Sequence, residues 1–225
     1  MHRLLHRGIG LQLAERGEDT VYLKCWDEED HHSIRLRYDP RTGLDLFSFR
    51  VEHEDDLAEL ENAITKYGCQ VQRVSRGEAV GQGESIRFGI PSGQTMELVY
   101  ELDKTGGLLG KLNPAPVPPP GMPGIAPPRL DHMLINAEEV GEAAAFFRSV
   151  LGFRMTEQVL DANGHQLGVW LERSHSPHDI AIVNGPNLER IALDGEQPIV
   201  AAADRRQIGR MHIVDFVIWR VKHQR

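Results

Sequence analysis

What this 225-residue chain has little of narrows its class first. Only two cysteines occur, Cys25 and Cys69, each inside an apparent strand and neither in a Cys-x-x-Cys pair. They read as small buried hydrophobes in a reducing compartment. Basic residues are in the minority, with 25 Lys and Arg against 33 Asp and Glu for a net charge of -8, and they form no block. A surface that tracks nucleic-acid phosphates is therefore not expected, and a small molecule is the expected partner. No apolar run approaches the roughly 20 residues that cross a bilayer. The opening Met1-His2-Arg3-Leu4-Leu5-His6-Arg7 lacks an apolar stretch of signal-peptide length. A soluble cytoplasmic protein is the expectation.

With 40% hydrophobic and 26% charged residues, the chain should bury a core. Residues 21–26 and 33–38 are β-rich and flank the polar turn Asp27-Glu28-Glu29-Asp30, which predicts a hairpin with His31 and His32 at its return. Adjacent strand residues face opposite ways, so these two histidines are not expected to share a site. Residues 44–51 alternate as a strand. The period then changes: Leu57, Leu60, Ile64 and Tyr67 mark one helical face behind acidic Glu54, Asp55 and Asp56, with Gly68 as the stop. Strands are predicted again at 69–74, 85–90 and 95–101.

Eight of the chain's 13 prolines fall between Pro114 and Pro128. That stretch predicts a stiff linker or surface strap over 113–128, dividing an N-terminal module of residues 1–112 from a C-terminal one of 129–225. Beyond it come a strand at 130–136, a helix at 138–150 stopped by Gly152, and strands at 153–160, 166–172 and 179–183. Asn163-Gly164 between two of these is a strong hairpin signal. An α+β fold built from a duplicated βαβββ unit is the economical description. Concave sheets of such units give a shallow pocket into which strand side chains project.

His132 stands out because it lies in the apolar run Leu130-Asp131-His132-Met133-Leu134-Ile135, directly after the prolines. Strand alternation puts it on one face with Leu130 and Leu134, pointing into whatever the sheet encloses. A core histidine satisfied by one hydrogen bond and a transition-metal ligand are both open on this pattern alone.

Ordered motifs from about Val21 to about Asn187 carry a resemblance. They include Val21-Tyr22-Leu23-Lys24-Cys25-Trp26, Asp30-His31-His32-Ser33, Tyr67-Gly68-Cys69, Pro91-Ser92-Gly93 with Met96-Glu97-Leu98, Leu130-Asp131-His132, Val150-Leu151-Gly152-Phe153, Glu157-Gln158-Val159-Leu160-Asp161 and His178-Asp179-Ile180-Ala181. Together they resemble the catechol 2,3-dioxygenase (metapyrocatechase) family of extradiol ring-cleaving dioxygenases, in the vicinal oxygen chelate superfamily.

The resemblance implies tandem βαβββ modules, the second holding Fe(II) by two histidines and a carboxylate with positions left for a catechol and O2. It implies meta cleavage of catechol or a substituted catechol to a 2-hydroxymuconic semialdehyde-type product, and a homo-oligomer, a tetramer in this family. His132 matches the first iron ligand. His178, before Asp-Ile-Ala, matches a histidine that moves a proton to or from bound oxygen.

The second ligand is expected after Gly185-Pro186-Asn187, where no histidine follows; His212 in Gly209-Arg210-Met211-His212 echoes that motif about twenty residues later. The third ligand, a Glu, would fall beyond Arg225. Both ends thus look incomplete, and residues 188–225 diverge from the family. Glu97 occupies in the N-terminal module the place of that Glu, and reads as a relic of duplication. A binding-only relative that keeps the fold without the chemistry is the alternative.

Overall fold

The computed structural model describes residues 5–39, 43–105, 117–174 and 176–185, and the backbone of 211–219. A π-helical turn at Leu5–Ile9 precedes β1 (Gln12–Arg16), β2 (Thr20–Lys24), β3 (Ile34–Arg37) and β4 (Gly43–Val51). Helix α1 (Asp56–Tyr67) leads to β5 (Val71–Val74), β6 (Ser85–Gly89) and β7 (Thr95–Val99). After the prolines come β8 (Met133–Ala137), α2 (Val140–Ser149), β9 (Arg154–Leu160), β10 (Gln166–Glu172) and β11 (Ile180–Asn184), and then β12 (Met211–Trp219).

The duplication is visible in the pairing. In one unit β4 pairs in parallel with β7, which continues antiparallel to β6 and β5; in the other β8 pairs in parallel with β11, which continues antiparallel to β10 and β9. Each is a β-α-β-β-β unit with the same strand order. The complete first unit starts at Gly43. Strands β1 to β3, an antiparallel meander, together with β12 extend its sheet to eight strands in the order β1-β2-β3-β12-β4-β7-β6-β5, while the second sheet has four, β8-β11-β10-β9.

Local chemistry explains the boundaries. Helix α1 ends where Gly68 takes φ +111, a left-handed conformation that glycine adopts without a Cβ penalty, and its amide bonds to the Thr65 carbonyl at 3.0 Å. Alternation sends Phe47, Phe49 and Val51 of β4 to the helix side together with Met96 and Leu98 of β7, against Leu57 and Ile64 of α1. In the second unit Met133, Ile135 and Ala137 of β8 and Ile180 and Ile182 of β11 meet Val140, Ala143, Ala144, Phe146 and Phe147 of α2.

The two units share this core. Phe49 lies 5.6 Å from Phe153 and Tyr67 lies 5.0 Å from Phe146, ring centre to ring centre, with near-perpendicular planes. Such edge-to-face pairs add to the burial of the rings themselves. Gln94, buried, donates from Nε2 to the Asn136 carbonyl at 2.7 Å across the same junction. Cys25 is buried and Cys69 half-buried, both free thiols; burial pushes the Cys25 thiol well above its ordinary range.

The β9–β10 hairpin closes as its sequence predicts. Asp161 N–H donates to the His165 carbonyl at 2.9 Å, and Gly164, at φ +85 with open space where a side chain would sit, turns the chain. Gly164→Ala meets no clash and carries only the left-handed backbone penalty, so a loss of about 1–2 kcal/mol is expected. A urea titration checks it; a midpoint equal to the wild type would show that the turn relaxes into another form.

Candidate functional site

His132 sits immediately before β8, on the side of the sheet away from α2. The expected alternation holds, but the helix covers the other set: Met133, Ile135 and Ala137 are buried, whereas Leu134 is 49% exposed. The face that bears His132 is therefore not sealed by leucines. Register aligns Leu134, Ala181, Trp170 and Glu157 in one row across the four strands of that face.

Two short-range devices set the His132 ring. Asp131 Oδ2 is hydrogen-bonded to His132 Nδ1, which leaves Nε2 as the nitrogen available to a metal or a proton. The Met133 amide donates to the Asp179 carbonyl at 3.2 Å, starting the β8–β11 ladder one residue later. His132 retains 21% side-chain exposure, so the ring is reachable.

His178 arrives from the loop between β10 and β11. Its ring centre is 4.2 Å from that of His132, with the planes inclined by 58°. The loop is held by Asp179, a buried carboxylate that accepts from Arg173 N–H at 2.6 Å, Ser174 N–H at 2.9 Å, Ser174 Oγ at 2.5 Å and Ser176 Oγ at 3.2 Å. Ser176 Oγ also donates to the His178 carbonyl at 2.7 Å. No sequence pattern singled out Asp179 as the loop's hub. The signal was nonetheless present, because a Ser-x-Ser-Pro-x-Asp run is rich in residues that bond their own backbone.

Burial, and then the neighbouring His132, hold His178 below its ordinary value of 6.5, against the opposing pull of Asp131, Glu157 and Asp179. The neutral imidazole is therefore the favoured form at neutral pH. In the unfolded chain the ring titrates near the ordinary value, so as pH falls through the interval below 6.5 the unfolded state binds the proton first and stability drops. Above 6.5 both states are neutral and this penalty is absent. In the presence of a chelator, the fall in melting temperature between about pH 7 and 5 is expected to be shallower in His178→Gln than in the wild type. Parallel slopes would refute the burial of this ring as its cause.

The expected second ligand, His212, and the other His and Glu side chains weighed in the sequence lie elsewhere. The backbone of His212 is on β12, opposite Arg50 in the eight-stranded sheet and not beside β8; its side chain and all of 188–210 lie outside the described residues. His31 and His32 are in the first sheet's meander, where their Nδ1 atoms lie 2.9 Å apart. Glu97 is also in the first sheet, fully buried in a network of donors. Among the described residues no three His, Cys, Asp or Glu side chains converge as a metal site. His132 fits as one donor, through Nε2; the described residues do not complete the set. Among the described residues no helix is long and apolar enough to cross a membrane.

Comparison with known proteins supplies the context for this pair of imidazoles. Residues 44–102 match the family described as the catechol 2,3-dioxygenase-like N-terminal domain, and residues 129–217 match the glyoxalase/bleomycin resistance protein/dioxygenase superfamily. A metapyrocatechase of Pseudomonas sp. (strain CF600) is 36% identical over 180 residues, 79% of this chain and 58% of its own length. A manganese-dependent 2,3-dihydroxybiphenyl 1,2-dioxygenase of Geobacillus genomosp. 3 is 30% identical over 205 residues, 87% of this chain and 65% of its own. The crystal structure of the 2,3-dioxygenase LapB from Pseudomonas sp. KL28 superposes with a TM-score of 0.75 at 37% identity, covering 82% of this chain and 65% of that one. The chain thus spans less than two thirds of the length of these relatives. Shared fold, two consecutive family matches and this level of identity agree: the chain belongs to the extradiol dioxygenases of the vicinal oxygen chelate superfamily.

Proposed function

We propose that the chain is an extradiol dioxygenase that opens the ring of catechol, or of a substituted catechol, with O2 to a 2-hydroxymuconic semialdehyde-type product. The observation that carries this reading is the approach of His178 to His132 at 4.2 Å on the uncovered side of the second sheet. In it, residues 1–112 form a module without metal, 113–128 the linker, and 129–225 the module that holds Fe(II). His132 is one ligand through Nε2; the described residues do not complete the donor set. When bound, the metal supplies a Lewis-acidic centre that brings the two catechol oxygens and O2 together.

The chain's own residues do the rest of the work assigned here. Asp131 fixes the tautomer of His132 by holding Nδ1. His178, kept neutral by burial, accepts a proton from the catechol hydroxyl nearest it and returns it as the ring opens. Leu134 and Trp170 supply an apolar wall on the same face for the aromatic ring.

The experiment is direct. Protein incubated anaerobically with Fe(II) and catechol is expected to form the yellow ring-opened product on admission of O2, and His132→Ala to abolish both product and bound iron. Mn(II) in place of Fe(II) is the second arm, since one relative is manganese-dependent by name. Absence of product with either metal overturns the enzymatic reading. A second reading is a binding protein of this family without the chemistry. Stoichiometric catechol binding without oxygen uptake would select it.

A further inference from the structure

We propose that the loop between β2 and β3, through Asp27 and Glu28, is the device that aims His132, so that the module without metal sets the geometry of the site in the other. The proposal rests on the reading of His132 as the functional imidazole.

The contacts run from residues 25–33 to residues 126–130 and end two positions before His132. Asp27, 1% exposed, receives Arg129 Nε at 2.9 Å and Nη2 at 2.6 Å on the same oxygen, and Arg129 is itself 4% exposed. The Asp27 amide donates to the Pro128 carbonyl at 3.1 Å, and Trp26 Nε1 to the Ala126 carbonyl at 3.0 Å. Glu28 goes furthest along the segment: its Oε1 accepts the Leu130 amide at 2.7 Å. Its Oε2 is tied back into its own loop by Cys25 N–H and Ser33 Oγ, both at 2.6 Å.

His132 therefore hangs between two anchors. Upstream, the Leu130 amide is fixed by the first sheet's loop; downstream, the Met133 amide is fixed by Asp179, whose side chain also organises the loop of His178. Only Asp131 and His132 lie between them, and Asp131 holds the ring. A buried ion pair is often no more stabilising than apolar residues of the same size. Committing a buried Asp–Arg pair and a carboxylate to a proline-rich strap is explained by the placement of His132, three residues past Arg129. Asp27, Glu28 and Arg129 are thus positioning residues that act through His132.

The test separates placement from folding and from chemistry. In protein carrying ring-labelled histidine, the wild type is expected to show a ring-to-ring nuclear Overhauser contact between His132 and His178. The double variant Asp27→Leu with Arg129→Met replaces the pair by apolar bulk, and is expected to keep the β8–β11 contacts such as Ile135 to Ile182 while losing the ring-to-ring contact. Where the wild type turns over catechol, kcat should fall about 100-fold, the scale of a misplacement of about 1 Å, with KM little changed.

Should the double variant fail to fold, Arg129→Lys keeps the charge without the forked donors and is expected to weaken the ring contact in part. An unchanged ring contact in whichever variant folds overturns the proposal, whatever happens to activity. A lost contact in a chain that never turns over catechol upholds it while sinking the proposed function.

Discussion

Phe49→Ala is expected to destabilise the chain by about 3–5 kcal/mol, the cost of a large cavity at a fully enclosed aromatic site, and to shift the unfolding of both sheets together. Phe49 is 0% exposed on β4, with Phe47 at 6.0 Å on its own strand and Phe153 of the second unit at 5.6 Å. Phe153 in turn meets Phe147 of α2 at 5.2 Å. Deleting one ring removes the partner of an aromatic chain that crosses from one unit to the other. Two probes read the result: the fluorine resonance of Trp170 in fluorotryptophan-labelled protein for the second sheet, and far-ultraviolet dichroism for the whole. Coincident curves at a lower guanidinium midpoint are expected. A Trp170 transition that stays at the wild-type midpoint while the dichroism moves would show two independent cores, and would remove the basis for reading the units as mechanically joined.

Much of this architecture is legible in the sequence, for reasons that differ by element. Helix α1 announces itself by the spacing of Leu57, Leu60 and Ile64 and by Gly68, and the β9–β10 hairpin by Asn163-Gly164, because both depend on local sterics. The duplication is legible as a repeated order of strands and helix, since each unit must bury a sheet face under its own helix. What is less legible depends on distant partners. Strand β1, Gln12–Arg16, has no apolar alternation and exists because β2 offers it an edge. Strand β12 lies between β3 and β4, parallel to one and antiparallel to the other, a pairing that no local pattern in residues 211–219 encodes.

The site divides in the same way. Both faces of β8 are apolar in sequence, so alternation groups His132 with Leu134 but cannot say which group the helix covers. The small and aromatic stripe of α2, with Ala143, Ala144, Phe146 and Phe147, makes that choice, and it leaves Leu134 half-exposed beside the histidine. The nearness of His178 rests on the parallel pairing of β11 with β8 across an intervening helix and two strands, which periodicity does not reveal. The family resemblance assigned both histidines a common site; the geometry adds the reason they can meet, which is the Asp179 knot at the start of β11. The clamp from Asp27 and Glu28 was hidden further still, since those residues look like an ordinary polar turn until the strap is laid across them.

Glu97→Ala is expected to cost about 3–5 kcal/mol, the penalty for breaking a buried charged pair from one side, and to leave metal binding unchanged. Glu97 occupies the place that a metal-ligating Glu would hold in a duplicated unit, but its carboxylate is fully enclosed and spoken for. Oε1 accepts from Ser48 Oγ at 3.0 Å and Gln82 Nε2 at 2.8 Å, while Oε2 accepts from Ser85 Oγ at 3.1 Å and from Arg87 Nε. Truncation strands three buried donors, each worth about 1–3 kcal/mol when left unmade, and frees Arg87, which retains 27% side-chain exposure and can turn partly to water. The relief at Arg87 keeps the expected total at the scale of one broken pair. Glu97→Gln keeps an acceptor for two of the four donors and should cost less than the alanine variant. Guanidinium titrations at matched slope measure both, and metal analysis of the same samples tests the second half of the claim. A cation would have to displace Arg87 and two hydroxyl donors to reach this carboxylate, so loss of bound metal in a folded Glu97→Ala protein would contradict the assignment of the metal to the sheet of His132.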